Sequence, residues 1–165
     1  MNPAQIHLAL NHLPIGLVLV GVPLLVAALW RKSSELRSAA LILLVLAAVV
    51  SIPAFLSGEP AEEVIEHMPG VSGRLIHEHE EAGEFALILS GILGLGALVT
   101  LVLQKKRQLH TGVFAAIAAM GLVSLLAFVR TAHLGGVVRH PEISQAVPDT
   151  GTAIVEQEDD EHGED

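Results

Sequence analysis

The chain has 165 residues, 52% of them apolar and only 16% charged, with a net charge of −9 and no cysteine. The missing cysteine excludes a covalently attached c-type haem, a thiolate iron–sulfur or zinc centre, a disulfide and a cysteine nucleophile. Net acidity without a basic patch excludes nucleic acid as a partner, and the low charged share, against about a quarter in soluble domains, implies a membrane protein.

In chain order, four runs carry no Asp, Glu, Lys or Arg: residues 6–30, 39–56, 85–103 and 112–129, of 25, 18, 19 and 18 residues. A bilayer core about 30 Å thick takes roughly 20 helical residues at 1.5 Å each, so each run is predicted to be a spanning helix. The first run is expected to be retained and not cleaved as a signal. No basic residue precedes it, and Arg31 and Lys32 follow it where a small-x-small cleavage pattern would stand. Between the second and third runs, residues 59–67 are predicted to form a short outward surface helix with Pro60 in its first turn, ended by Met68-Pro69-Gly70. Ser72 is the expected N-cap of a long third helix, its hydroxyl accepting from a first-turn N–H, and that helix continues through His77 and His79 into the membrane. The fold class is all-α: an integral membrane four-helix up-down-up-down bundle over residues 1–140. An acidic tail over 141–165, His162 included, is expected to be disordered and solvated.

Six of the nine Lys and Arg sit between runs one and two (Arg31, Lys32, Arg37) or three and four (Lys105, Lys106, Arg107). Both loops are therefore expected to be cytoplasmic, which places the N- and C-termini on the outer face of a bacterial inner membrane. Of 18 acidic residues, 17 lie in the outward loop or the tail. Pro14, Gly16, Gly21, Pro23, Pro53, Gly91, Gly94 and Gly96 are expected to serve close helix packing and local kinks.

Eight of the nine histidines fall on the outward side; only His110 does not. His12, His79 and His133 lie near the outward ends of three different helices. Gly16 and Gly83, each four residues on, leave room beside His12 and His79 on their own helix faces. From His79, Ala86, Ser90 and Gly94 continue a small-residue stripe of the inward-packing kind. His77 projects elsewhere, in line with Glu80, Glu81 and Glu84. His7, His67 and His140 are read as interfacial or solvated. Arg130 sits at membrane depth beside His133, and Arg74 and Arg139 are further outward cations, able to pair with Glu80, Glu84 or a cofactor's carboxylates.

Haem b is the first chemistry this pattern fits. Imidazoles ligate the iron between helices, small residues make room for the macrocycle, and arginines meet its propionates. The expected set is His12, His79 and His133 with Gly16, Gly83, Arg74, Arg130 and Arg139. Three histidines exceed the two axial positions of one iron, so one stands beside the ligands, or His77 or His7 joins them to hold a second haem. The expected role is electron transfer near the outer face, between a membrane quinone and an outward redox partner, as a subunit of a larger complex. A transition-metal ion (zinc, copper, iron or manganese) on the imidazole–carboxylate set that includes His77 and Glu81 is the alternative. A docking subunit without a cofactor, its acidic face meeting a basic partner, is the third.

Four segments carry a resemblance: Asn11-His12-Leu13-Pro14, Ser57-Gly58-Glu59-Pro60-Ala61-Glu62-Glu63, His77-Glu78-His79-Glu80-Glu81-Ala82 and Thr131-Ala132-His133-Leu134-Gly135-Gly136. Together they resemble a bacterial family of small four-helix membrane proteins of unknown function, over nearly the whole chain before the tail. The resemblance implies a haem or metal role, because members place histidines at helix ends as small b-type cytochromes do. The Gly135-Gly136 pair implies a turn that approaches something closely.

Overall fold

A computed structural model describes residues 2–66, 68 and 71–139, and among these there are helices and no strand. The helices are α1 (Pro3–Leu10), α2 (His12–Trp30), α3 (Ser34–Leu56), α4 (Gly58–Ile65), α5 (Gly73–Leu103) and α6 (Thr111–Arg139). Among the described residues, 4 helical stretches are long and apolar enough to cross a membrane. The tail over 141–165, with His140 and His162, lies outside the described residues, as do His67, Pro69 and Gly70.

Two prolines set the helix breaks. Proline has no N–H, and its ring clashes with the carbonyl four residues back. Pro14 accordingly follows a break just after Leu10, and Pro60 follows one just after Leu56. The outcome is a pair of eight-residue helices, α1 and α4, that pack against each other at one end of the molecule. Pro23 and Pro53, by contrast, sit within α2 and α3.

Around the main bundle α2 lies against α3, α3 against α5, α5 against α6 and α6 against α2. The α3–α5 contacts descend one helix as they climb the other: Gln104 donates to the Ser38 hydroxyl at 3.1 Å, Ser51 and Ser90 share a hydrogen bond at 3.0 Å, and Phe55 covers Gly83. The two helices therefore run in opposite directions. Each inner face is one stripe at three- and four-residue spacing, such as Val18, Val22 and Leu25 on α2 or Phe114, Ala118, Gly121, Ser124 and Phe128 on α6. The stripe on α5 runs Ala82, Ala86, Ser90, Leu93, Gly94, Ala97 and Thr100, as its small residues foretold. Small residues bring the helices close at two points: Gly94 meets Ala48 and Gly121 meets Val22 so closely that neither glycine has room for a Cβ. In each of the four stretches 33% of the apolar window is buried, and the rest is half-buried or exposed. Leu19, Val26, Ile52, Ile88 and Leu126 are among these exposed side chains. So continuous an apolar exterior is consistent with lipid contact.

At the other end the connections are tighter than the charge pattern implied. Residues 31–33 suffice to join α2 to α3, so Glu35 and Arg37 are helical. Lys32 takes a left-handed φ of 53° to make this turn, and the Ser33 hydroxyl caps α3 by accepting from the Leu36 N–H at 3.2 Å. Residues 104–110 join α5 to α6, where the His110 Nδ1 accepts from the Gly112 N–H at 3.0 Å. Ser72 occupies the N-cap of α5 in extended conformation, but its hydroxyl makes no capping hydrogen bond, which corrects that expectation.

Candidate functional site

His79 projects from the second turn of α5 into the contact with α6, where its Nδ1–H donates to the Thr131 carbonyl at 2.9 Å. The link is reciprocal, because the Thr131 hydroxyl donates back to the Ala82 carbonyl of α5 at 2.9 Å. Gly135, one turn beyond Thr131, makes the approach possible: a Cβ there would stand 2.9 Å from the His79 Cε1. The close approach expected of the Gly135-Gly136 pair is thus real at Gly135. It occurs within helix α6, not in a turn, and Gly136 has open space instead.

The partner of His79 is His7. Its ring, carried by α1, stands with its centroid 6.2 Å from that of His79 and its plane at 89° to it. The helix break after Leu56 leaves the last carbonyls of α3 without intrahelical partners. The His7 Nδ1–H uses one of them, sharing itself between the Ala54 carbonyl at 3.1 Å and the Ser57 hydroxyl at 2.9 Å. Ser57 in turn donates to the same carbonyl at 2.7 Å. His7, read as interfacial or solvated, is half-buried, and both of its contacts are made through Nδ1. The residues that fasten it lie some 50 positions away, a pairing no local pattern announces.

Chemically, a carbonyl oxygen only accepts, so both histidines carry a proton on Nδ1, and in the neutral form this leaves the lone pair on Nε2. Metal-ligating imidazoles are held in this way, by a second hydrogen bond that fixes tautomer and orientation. The donor chemistry of His7 and His79 fits that use. Among the described residues no group of three or more His, Cys, Asp or Glu is placed to hold a metal ion. A pair of imidazoles suits a haem, whose macrocycle supplies the remaining four ligands.

The other candidates are arranged differently. His12 is exposed, and its Nδ1–H donates to the Leu8 carbonyl of the preceding turn at 2.8 Å. His133 and Arg130 are exposed on α6, and Arg139 is exposed at its last residue. Gly16 has open space around it, whereas the space beside Gly83 is filled by Phe55 at 3.7 Å and Thr131 at 3.8 Å. His77 and Glu81 approach to 3.3 Å, with Glu80 at 3.8 Å, on an exposed face. Arg74 pairs with Glu78 at 3.6 Å, not with Glu80 or Glu84. Arg130 does border a 250 Å³ groove between α5 and α6, whose walls include Ala82, Phe85 and Leu126. The Asn11 Oδ1, at the junction of α1 and α2, is buried without a hydrogen-bond partner.

Comparison with family models, with curated proteins and with solved structures finds no match, so the reading of the site rests on its residues and their geometry.

Proposed function

We propose that the chain is a four-span, up-down-up-down protein of a bacterial inner membrane that holds haem b through His7 and His79 and carries electrons near the outer face. The observation that supports this best is the crossed pair of imidazoles 6.2 Å apart, each with its Nδ1–H committed to a backbone carbonyl. His7 and His79 would hold the iron by their Nε2 atoms, and the haem would supply one-electron transfer. The chain's own work is to fix the tautomers through the Ala54 and Thr131 carbonyls. α1 has no buried residue, so it is the wall that yields most readily to a flat group. Arg130, exposed beside the groove, is the nearest candidate in sequence to Thr131 for a propionate.

The basic connections at residues 31–33 and 104–107 support their placement in the cytoplasm, with both termini outside. A quinone and an outward redox partner are the expected electron donor and acceptor, within a larger complex. A single transition-metal ion at His77 and Glu81, or a docking role for the acidic outer face, are the competing readings.

The test is the absorption spectrum of the detergent-purified protein, oxidised and reduced, from cells well supplied with haem and metals. A Soret band with reducible α and β bands is expected, lost in His7→Ala and His79→Ala and kept in His12→Ala and His133→Ala. Loss in His12→Ala or His133→Ala with retention in His7→Ala would restore the three-helix ligand set. Stoichiometric zinc, copper or manganese without a Soret band would move the centre to His77 and Glu81.

A further inference from the structure

The opposite end of the bundle holds a second candidate site, a 440 Å³ cavity between the start of α3 and the α5–α6 connection. Its lining includes three cations, Arg37, Lys105 and Arg107, with Gln108 beside them and Leu109 and Phe114 as an apolar wall. No acidic side chain lines it. Glu35, the one acid at this end of the sequence, is exposed and accepts from the Ser33 hydroxyl at 3.0 Å and the Ser34 hydroxyl at 3.2 Å. Arg37 is held in place from two sides. Its Nε–H donates to the Ser33 carbonyl at 3.3 Å, and its guanidinium stacks over the Phe114 ring at 5.0 Å. These contacts leave its two terminal nitrogens unengaged by the Ser33 bond and already oriented, the form in which arginine recognises a phosphate.

Depth identifies the occupant. Arg37 precedes the apolar run that begins at residue 39 by two residues, about 3 Å along the helix, so the cavity opens at headgroup level, with Phe114 buried beneath the guanidinium and Leu109 packed against the same core. Basic pockets between spanning helices at a cytoplasmic surface have the chemistry of anionic headgroup sites. We infer that this cavity binds the phosphate of an anionic phospholipid, with Arg37 as its held ligand and the exposed Lys105 and Arg107 completing the site. The inference rests on the chain spanning a membrane and is independent of haem.

The test uses the full chain, delipidated in detergent, and titrates it with phosphatidylglycerol, phosphatidylcholine or inorganic phosphate, reading bound lipid by native mass spectrometry. Diffuse attraction to an anionic surface is worth about fivefold per cation, and Lys106→Gln, outside the cavity lining, measures that baseline. Phosphatidylglycerol is expected to bind at least tenfold more tightly than phosphatidylcholine. Arg37→Gln should weaken it tenfold or more beyond the Lys106→Gln baseline, and the surface double variant Lys105→Gln/Arg107→Gln, which removes two cations, tenfold or more beyond that baseline applied twice. The double variant alters exposed side chains, so it stands even if Arg37→Gln fails to fold. Equal binding of the two lipids, or cavity variants no weaker than their baselines, overturns the site. Inorganic phosphate competing at the same concentration as the lipid overturns the lipid as its ligand. Insertion into phosphatidylcholine vesicles that resists carbonate extraction, read on the same preparations, separates failure of the headgroup site from failure of the membrane reading.

Discussion

The neighbouring glycines Gly135 and Gly136 offer a matched pair of perturbations, because one touches His79 and the other touches nothing within 4 Å. In Gly135→Ala the new methyl would lie 2.9 Å from Cε1 and 3.3 Å from Nδ1 of His79. Restoring an ordinary carbon contact moves the ring by about 0.5 Å, enough to stretch its hydrogen bond to the Thr131 carbonyl beyond the normal 2.7–3.2 Å range. The lost bond costs about 1–1.5 kcal/mol, while alanine in a helix returns about 0.8–1 kcal/mol over glycine, so Gly135→Ala is near neutral or slightly destabilising. Gly136→Ala takes the gain without the loss. The two variants should therefore differ by about 1–1.5 kcal/mol, or about 2–6 °C in Tm for a chain of this size. Thermal unfolding followed by circular dichroism in one detergent measures the difference. Equal stabilisation of both variants would show that His79 is not held against Gly135, and the proposed ligand geometry would fall with it.

Other perturbations probe the scaffold. Ser51→Ala and Ser90→Ala each remove one partner of a buried interhelical hydrogen bond, and a double-mutant cycle should return a coupling of about 0.6 kcal/mol, at most about 1.7, in detergent unfolding. Lys32→Gly relieves a left-handed φ and should raise stability by up to about 1 kcal/mol, whereas Arg31→Gly, at an ordinary helical φ, should lower it; thermal scans of both decide the sign. Pro14→Ala restores an N–H that can reach the Leu10 carbonyl, so α1 and α2 should fuse and α1 should leave α4. Faster hydrogen exchange at residues 58–65 would report that departure, and unchanged exchange would show that Pro14 does not cause the break.

The helices were legible in the sequence because lipid demands long uncharged runs. Their lengths were not, because a bilayer limits how far apolar residues extend and places no limit on the helix itself. The start of α5 is the exception, since the helix expected to follow Ser72 and run through His77 and His79 does begin at Gly73, whereas Glu35 and Arg37 continue α3 because they are good helix formers in a wet headgroup layer. His79 was recoverable from the small residues that follow it on one face. His7 was not, because its environment depends on a break placed by Pro14 and on carbonyls freed by a second break far along the chain. His12 illustrates the converse: its favourable neighbour Gly16 faces open space.

The span between His7 and Ser57 also orders events in time. The α2–α3 hairpin closes over a three-residue turn as soon as both helices exist, but α1 has nothing to dock on until residues 54–65 have been made. At about 5–20 residues per second, the first helix waits roughly 3–10 s after its own synthesis. During that interval the His7 imidazole is without the Ala54 carbonyl and Ser57 hydroxyl that later hold it, and His79, which it meets in the finished fold, has yet to be made.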